Sequence, residues 1–139
     1  MTWWMFALAS AIAAATTAIL AKIGVANVPS NLATAVRTTV VLVFAWAIVA
    51  ARGEFRGLTQ ISHRSWLFLT LSGIATGVSW LAYFRALQMA PASRVAPIDK
   101  LSLAITILLA VFVLGETVTW KTVVGGCLIV AGALLTLAG

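Results

Sequence analysis

Acidic residues are nearly absent. Glu54, Asp99 and Glu116 are the three carboxylates of a 139-residue chain that also holds one histidine and one cysteine. A lone Cys127 excludes an intrachain disulfide and a cysteine-cluster metal site. His63 stands in a polar connection beside Arg64 and reads as solvated. There is no HExxH, no GxSxG and no carboxylate pair with a plausible nucleophile, so the chain is not expected to be an enzyme. Neither a metal nor another cofactor is implied. Charge itself is scarce, at 9% of residues against 63% apolar. Soluble domains carry about 25% charged and about 45–50% apolar residues. No hydrophilic run is long enough to make a soluble domain. The net charge of +6 would suggest nucleic acid on a soluble chain, but the basic residues are scattered singly around apolar segments. Without a basic cluster or a stacking platform, nucleic acid is not an expected partner.

What is present is apolar length. Five segments reach the roughly 20 residues that a spanning helix needs: about 3–23, 32–51, 66–87, 95–114 and 119–138. The first is too long for the about 7–15-residue core of a signal peptide and has no positive region before it, so it reads as a retained helix. In hydrocarbon only helices or closed barrels satisfy the backbone, and runs without period-2 alternation are helices. The expected fold is an all-α integral membrane protein of five transmembrane helices, one domain over 1–139, with the bilayer as its solvent. Its expected location is the bacterial inner membrane.

Within these segments small residues mark packing. Ala7, Ala11, Ala14, Ala15 and Ala18 recur at helical spacing in the first. Gly73 and Gly77 in the third, and Gly126 and Gly132 in the fifth, read as close-approach positions. A polar stripe follows a different logic. Ser72, Thr76, Ser79 and Tyr83 fall at i, i+4, i+7 and i+11 and share one helix face, and Asp99, Ser102 and Thr106 continue the pattern in the fourth segment. Either each hydroxyl bonds its own i−4 carbonyl, or the aligned stripe lines a cavity. Trp3, Trp4, Trp66 and Trp120 at segment starts form one half of an aromatic belt. Trp80 lies deeper, against lipid or facing a cavity. The stretch Trp80–Glu116 also holds Arg85, Asp99 and Lys100, and charges in spanning segments are costly enough to be functional candidates. The candidate substrate site is thus Ser72, Thr76, Ser79, Trp80, Tyr83, Arg85, Asp99, Lys100, Ser102 and Thr106. Glu116 is expected to cap the start of the fifth helix in preference to coupling protons, and Asp99 could satisfy early N–H groups of the fourth, freed near Pro97.

The stretch AYFRALQMAPASRVAPIDKLSLAITILLAVFVLGE, followed by WKTVVGGCLIVAGALL, resembles the EamA domain of the drug/metabolite transporter superfamily. The aromatic-x-x-Ala-Leu end of helix three, Pro91-Ala92-Ser93, Val95-Ala96-Pro97 and Leu114-Gly115-Glu116 carry the resemblance, with Lys22 and Arg37 at the facing ends of helices one and two. It implies a transporter of small molecules. Most members are similar to two such units fused in inverted orientation, whereas this chain is one unit. Ser102 is followed by Leu103 where many relatives have proline. Small exporters of the superfamily use a carboxylate in helix one, and this helix has none.

Charge balance bears on how a single unit would cope. With five spans, one side carries Arg52, Arg56, Arg64 and Lys121, and the other Lys22, Arg37, Arg85, Arg94 and Lys100. Orientation is set by an asymmetry of basic residues, and here there is almost none. The expectation is dual insertion and an antiparallel homodimer, transporting by alternating access across the inverted pair. An excess of Arg85 and Lys100 over Asp99 favours an anionic or zwitterionic substrate. The rival from another class is a non-transporting scaffold or a subunit of a hetero-oligomeric membrane complex. Dual insertion has a direct test: C-terminal reporters active only in the cytoplasm and only in the periplasm should both give signal. Two lysines added to the Gly53–His63 loop should bias the mixture, and a single orientation that resists them would remove this basis for the dimer.

Overall fold

A peptide group in hydrocarbon has no water to bond, so each apolar run closes its own i→i−4 ladder. The computed structural model describes residues 2–137, and these are almost wholly helical. The elements are α1 (Trp3–Gly24), α2 (Ser30–Ala51), a 3₁₀ helix (Glu54–Gln60), α3 (His63–Met89), α4 (Ala92–Asp99), α5 (Leu101–Leu114) and α6 (Trp120–Leu135). Four stretches have the length and apolarity to cross a membrane: α1, α2, α3 and the run Ala92–Leu114. The expected fifth span, 119–138, is a shorter apolar helix of 16 residues.

The fourth span differs most from the expected unbroken helix over 95–114. It begins three residues earlier and is interrupted at Lys100, which divides α4 from α5. Pro97 lies inside α4, three residues before the interruption. It brings no N–H for Ser93 O and its ring crowds that carbonyl, and past it the ladder tightens. The Lys100 N–H is shared between Ala96 O at 3.3 Å and Pro97 O at 3.1 Å, and Leu103 N donates to Lys100 O at 3.0 Å. Such mid-helix tightening is a recognised mark of a hinge or of strain.

The chain divides into two compact units. The unit Leu20–Gln88 holds the end of α1, α2, the 3₁₀ helix and α3. Its core is small: Val25 and Leu87 are fully buried, with Phe84, Ser30 and Thr34 beside them in burial. Thr34 satisfies its hydroxyl on Ser30 O at 2.9 Å. The 3₁₀ helix, where only an open loop was expected, is tied to α2 by Trp46 stacked on Phe55, ring centroids 5.9 Å apart. An exposed Arg52–Glu54 ion pair at 2.9 Å adds to the corner. Gly53 turns the chain out of α2 with φ +67°, a conformation that costs other residues a Cβ clash.

In the other unit, residues up to Ile19 and from Met89 onward, α4 and α5 both pack on α6. Gly126 permits the closest approach: a Cβ there would meet Ile107 Cδ1 at 3.3 Å. Gly115 ends α5 with φ +69°, and Glu116 N reaches back six residues to Ala110 O at 3.1 Å. This is the αL stop in which the residue after glycine satisfies an orphan carbonyl. Most large side chains of the spans point outward, Phe112 82% exposed among them. That is the face of a chain solvated by acyl tails or by another protein.

The cap of α6 corrects the expectation for Glu116. Thr119 is the capping residue, its hydroxyl accepting from Thr122 N at 3.3 Å, and Glu116 is exposed. The Thr119 backbone is extended while Glu116 is already committed to the α5 stop, so position decides between two capable side chains. Thr119→Ala should lower stability by about 1 kcal/mol and Gly115→Ala by about 1–2 kcal/mol. Glu116→Gln should stay within about 0.5 kcal/mol. Thermal unfolding in detergent measures all three, and a Glu116→Gln loss exceeding that of Thr119→Ala would restore the carboxylate as the cap.

Candidate functional site

In the unit Leu20–Gln88, the polar features gather between α2 and α3. Arg37, two turns into α2 and half-buried, places its guanidinium carbon 4.2 Å from the Trp80 ring centroid and 5.5 Å from that of Phe84. Trp80 and Phe84 are four residues apart, hence on one face of α3. Half-buried Tyr83 interacts electrostatically with the same guanidinium. The contact is a cation–π arrangement, which strengthens as water is withdrawn.

Where α3 ends, side chains take over backbone groups that the helices leave open. Lys22 donates to Leu87 O, one of the carbonyls at the end of α3 without an intrahelical partner. Gln88 donates to Val28 O at 2.7 Å and Val25 O at 3.3 Å, tying α3 to the α1–α2 connection. Arg85 is exposed and reaches Gln88 Oε1 at 3.4 Å.

The other unit holds the interrupted fourth span. Lys100 pairs with its neighbour Asp99 at 3.2 Å, both side chains remaining partly exposed. Adjacent residues on a regular helix point about 100° apart. The tightened turn is what allows it. Pro97 is half-buried within α4. Among the described residues no three of His, Cys, Asp or Glu gather as metal ligands. Between α5 and α6 runs an apolar groove of about 620 Å³, walled by residues such as Ile107, Val111, Gly126, Cys127 and Val130.

The structure therefore brings Trp80 and Tyr83 together with Arg37, and Asp99 together with Lys100. It gives the threonines a local role: Thr76 donates to Ser72 O at 2.9 Å and Thr106 to Ser102 O at 2.7 Å, each on its own helix. Ser72, Ser79 and Ser102 are exposed. Within this chain a Cβ at Gly73, Gly77 or Gly132 would meet nothing within 4 Å. Arg37 and Gln88 were not among the residues chosen from sequence. The i, i+4 aromatic pair Trp80 and Phe84 was the available signal for a cation opposite.

The chain matches the EamA-like transporter family over residues 1–138. It is 51% identical over 134 residues to the uncharacterized transporter in cobO 3′ region of Sinorhizobium sp., covering 96% of this chain and 95% of that protein. No solved structure gives a significant match. With several apolar helices and a family match over almost its whole length, the chain is a multi-pass integral membrane protein that belongs to the EamA-like transporter family.

Proposed function

We propose that the protein carries small anionic or zwitterionic metabolites across the bacterial inner membrane by alternating access, as an antiparallel homodimer of five-span units. Family membership and the name of the Sinorhizobium relative support a membrane transporter in the first place. The observation that carries the finer reading is the interruption of the fourth span at Asp99–Lys100. The Lys100 turn keeps helical dihedrals and bonded backbone groups. What it offers within the span is a charged pair, at the kind of depth where carriers hold their solutes. An ion pair in that position is expensive in lipid and is retained where it faces a partner or water. It can open to a charged solute and reclose when the solute leaves.

Antiparallel pairing is supported by the balance of basic residues and by the single unit, which alone lacks the inverted repeat. In such a pair α6 would cross as the fifth span with flanking residues completing its length. The residues we assign to the pathway are those on the α3 stripe (Ser72, Thr76, Ser79, Trp80, Tyr83), Arg85, and the segment Asp99, Lys100, Ser102 and Thr106.

Purified protein in liposomes, challenged with metabolite panels while current and internal pH are followed, tests the proposal. Asp99→Asn and Lys100→Gln should each lower flux at least about ten-fold, the loss expected when one charge-assisted bond is removed, with normal yield and assembly. Unchanged flux in both variants would remove the break from the mechanism. Transport of permanent cations alone would overturn the substrate class. A stable monomer or fixed-orientation oligomer without flux would point to a scaffold instead.

A further inference from the structure

We propose that Arg37, seated on Trp80 and Phe84, is the group that takes the carboxylate of a small solute inside the spanning part of the chain. The inference rests on reading the protein as a carrier; it adds a residue that the pathway assignment above does not contain and narrows the anionic class to a carboxylate.

Three other basic side chains in the spans or at their ends have polar partners, and Arg64, which faces Phe68 at 5.9 Å, stands at the exposed start of α3. Lys100 has Asp99 at 3.2 Å, Arg85 has Gln88 Oε1 at 3.4 Å, and Lys22 has Leu87 O. Arg37 has the Trp80 and Phe84 rings. Its guanidinium has neither a carboxylate within salt-bridge reach nor a hydrogen-bond acceptor among the described residues. A guanidinium carries five N–H donors in its plane. Contact through Cζ with a ring uses the charge and leaves those donors open.

Snorkelling does not account for the position. The Gln88–Val28 hydrogen bond sets a common level for the end of α3 and the approach to α2. Arg37 lies seven residues past Ser30, about 10 Å along α2, and Trp80 eight residues before Gln88, about 12 Å along α3. The side chain thus runs across to α3 at nearly constant depth. A long basic side chain escaping to the interface would run along the helix toward its end.

A cation fixed at that depth, with its donors open, is complementary to an anionic oxygen pair. Arginine binds carboxylates through two parallel N–H···O bonds, a geometry that lysine does not reproduce. The rings behind it hold the guanidinium in place before the solute arrives, so less ordering remains to be done on binding. A cationic solute would be repelled, and a neutral one would leave the donors unmatched.

The test uses the full chain in phosphatidylcholine nanodiscs, titrated with benzoate and with benzamide as its uncharged match, reading tryptophan emission. Benzoate should give a saturable change and benzamide none. Arg37→Gln should weaken benzoate binding about 10–100-fold, as for loss of charge-assisted bonds. Trp80→Phe should abolish most of the emission change. Where Arg37→Gln does not assemble, Arg37→Lys decides, with binding weakened at least several-fold. Equal binding of benzoate and benzamide, no saturable change with benzoate, or wild-type affinity in both Arg37 variants would overturn the proposal. Phosphatidylglycerol added to the discs should leave benzoate affinity unchanged. Displacement of benzoate by that lipid would assign Arg37 to a headgroup phosphate and overturn it as well. Solute flux by the same proteins reconstituted into liposomes separates the two readings. Arg37-dependent binding without flux sinks the carrier and keeps the site, whereas flux with unaltered carboxylate preference in Arg37→Gln does the reverse.

Discussion

A peptide carbonyl or N–H in hydrocarbon must find a protein partner, and the irregular features of this chain are answers to that demand. Past Pro97 the helix tightens, and the Lys100 N–H is shared between two carbonyls. The end of α3 would leave carbonyls open, and Lys22 takes one of them. The α1–α2 connection is too short for regular structure, and Gln88 bonds two of its carbonyls. Gly115 ends α5 only because Glu116 N reaches back to Ala110 O. Side-chain chemistry is concentrated where the backbone ladder fails. Elsewhere the threonines turn inward on their own helices and the apolar side chains face out.

That same demand governs what could be read in advance. Helix existence was legible because, in lipid, an apolar run of sufficient length has no other solution. α2 and α3 start two and three residues before their apolar runs, because polar residues can open a helix, and α2 begins behind Pro29 with no side-chain cap. Ser62 accepts from Ser65 N at 3.1 Å and so extends α3 toward its N-terminus. The 3₁₀ helix escaped notice because Glu54–Gln60 has no apolar period, and only the Trp46–Phe55 stack gives it an anchor. Pro97 looked like a residue of the first turn, where proline is tolerated. With α4 starting at Ala92 it falls inside the helix, three residues before the interruption.

The site was legible by type and not by partner. Charges in the spans could be picked out individually, but the alignment of Arg37 with Trp80 depends on how α2 and α3 are rotated about their axes. Amphipathicity reports rotation in soluble helices, because one stripe is apolar. Here nearly every face is apolar, and that signal vanishes. The aligned hydroxyls were legible only in part, for a related reason. A threonine within a helix is polar in composition, yet Thr76 and Thr106 spend their hydrogens on carbonyls four residues back.

The bond between Lys22 and Leu87 O joins groups 65 residues apart in the chain. A ribosome adding about 5–20 residues per second needs roughly 3–13 s to make that difference. Through that interval the lysine still lacks the carbonyl it will hold. The ammonium is then a mobile interfacial charge, counted among those that decide which way the nascent hairpin faces. Only when α3 emerges does the same group become a fixed helix terminus. One residue thus contributes first to the direction of insertion and afterwards to the folded unit, in a fixed temporal order.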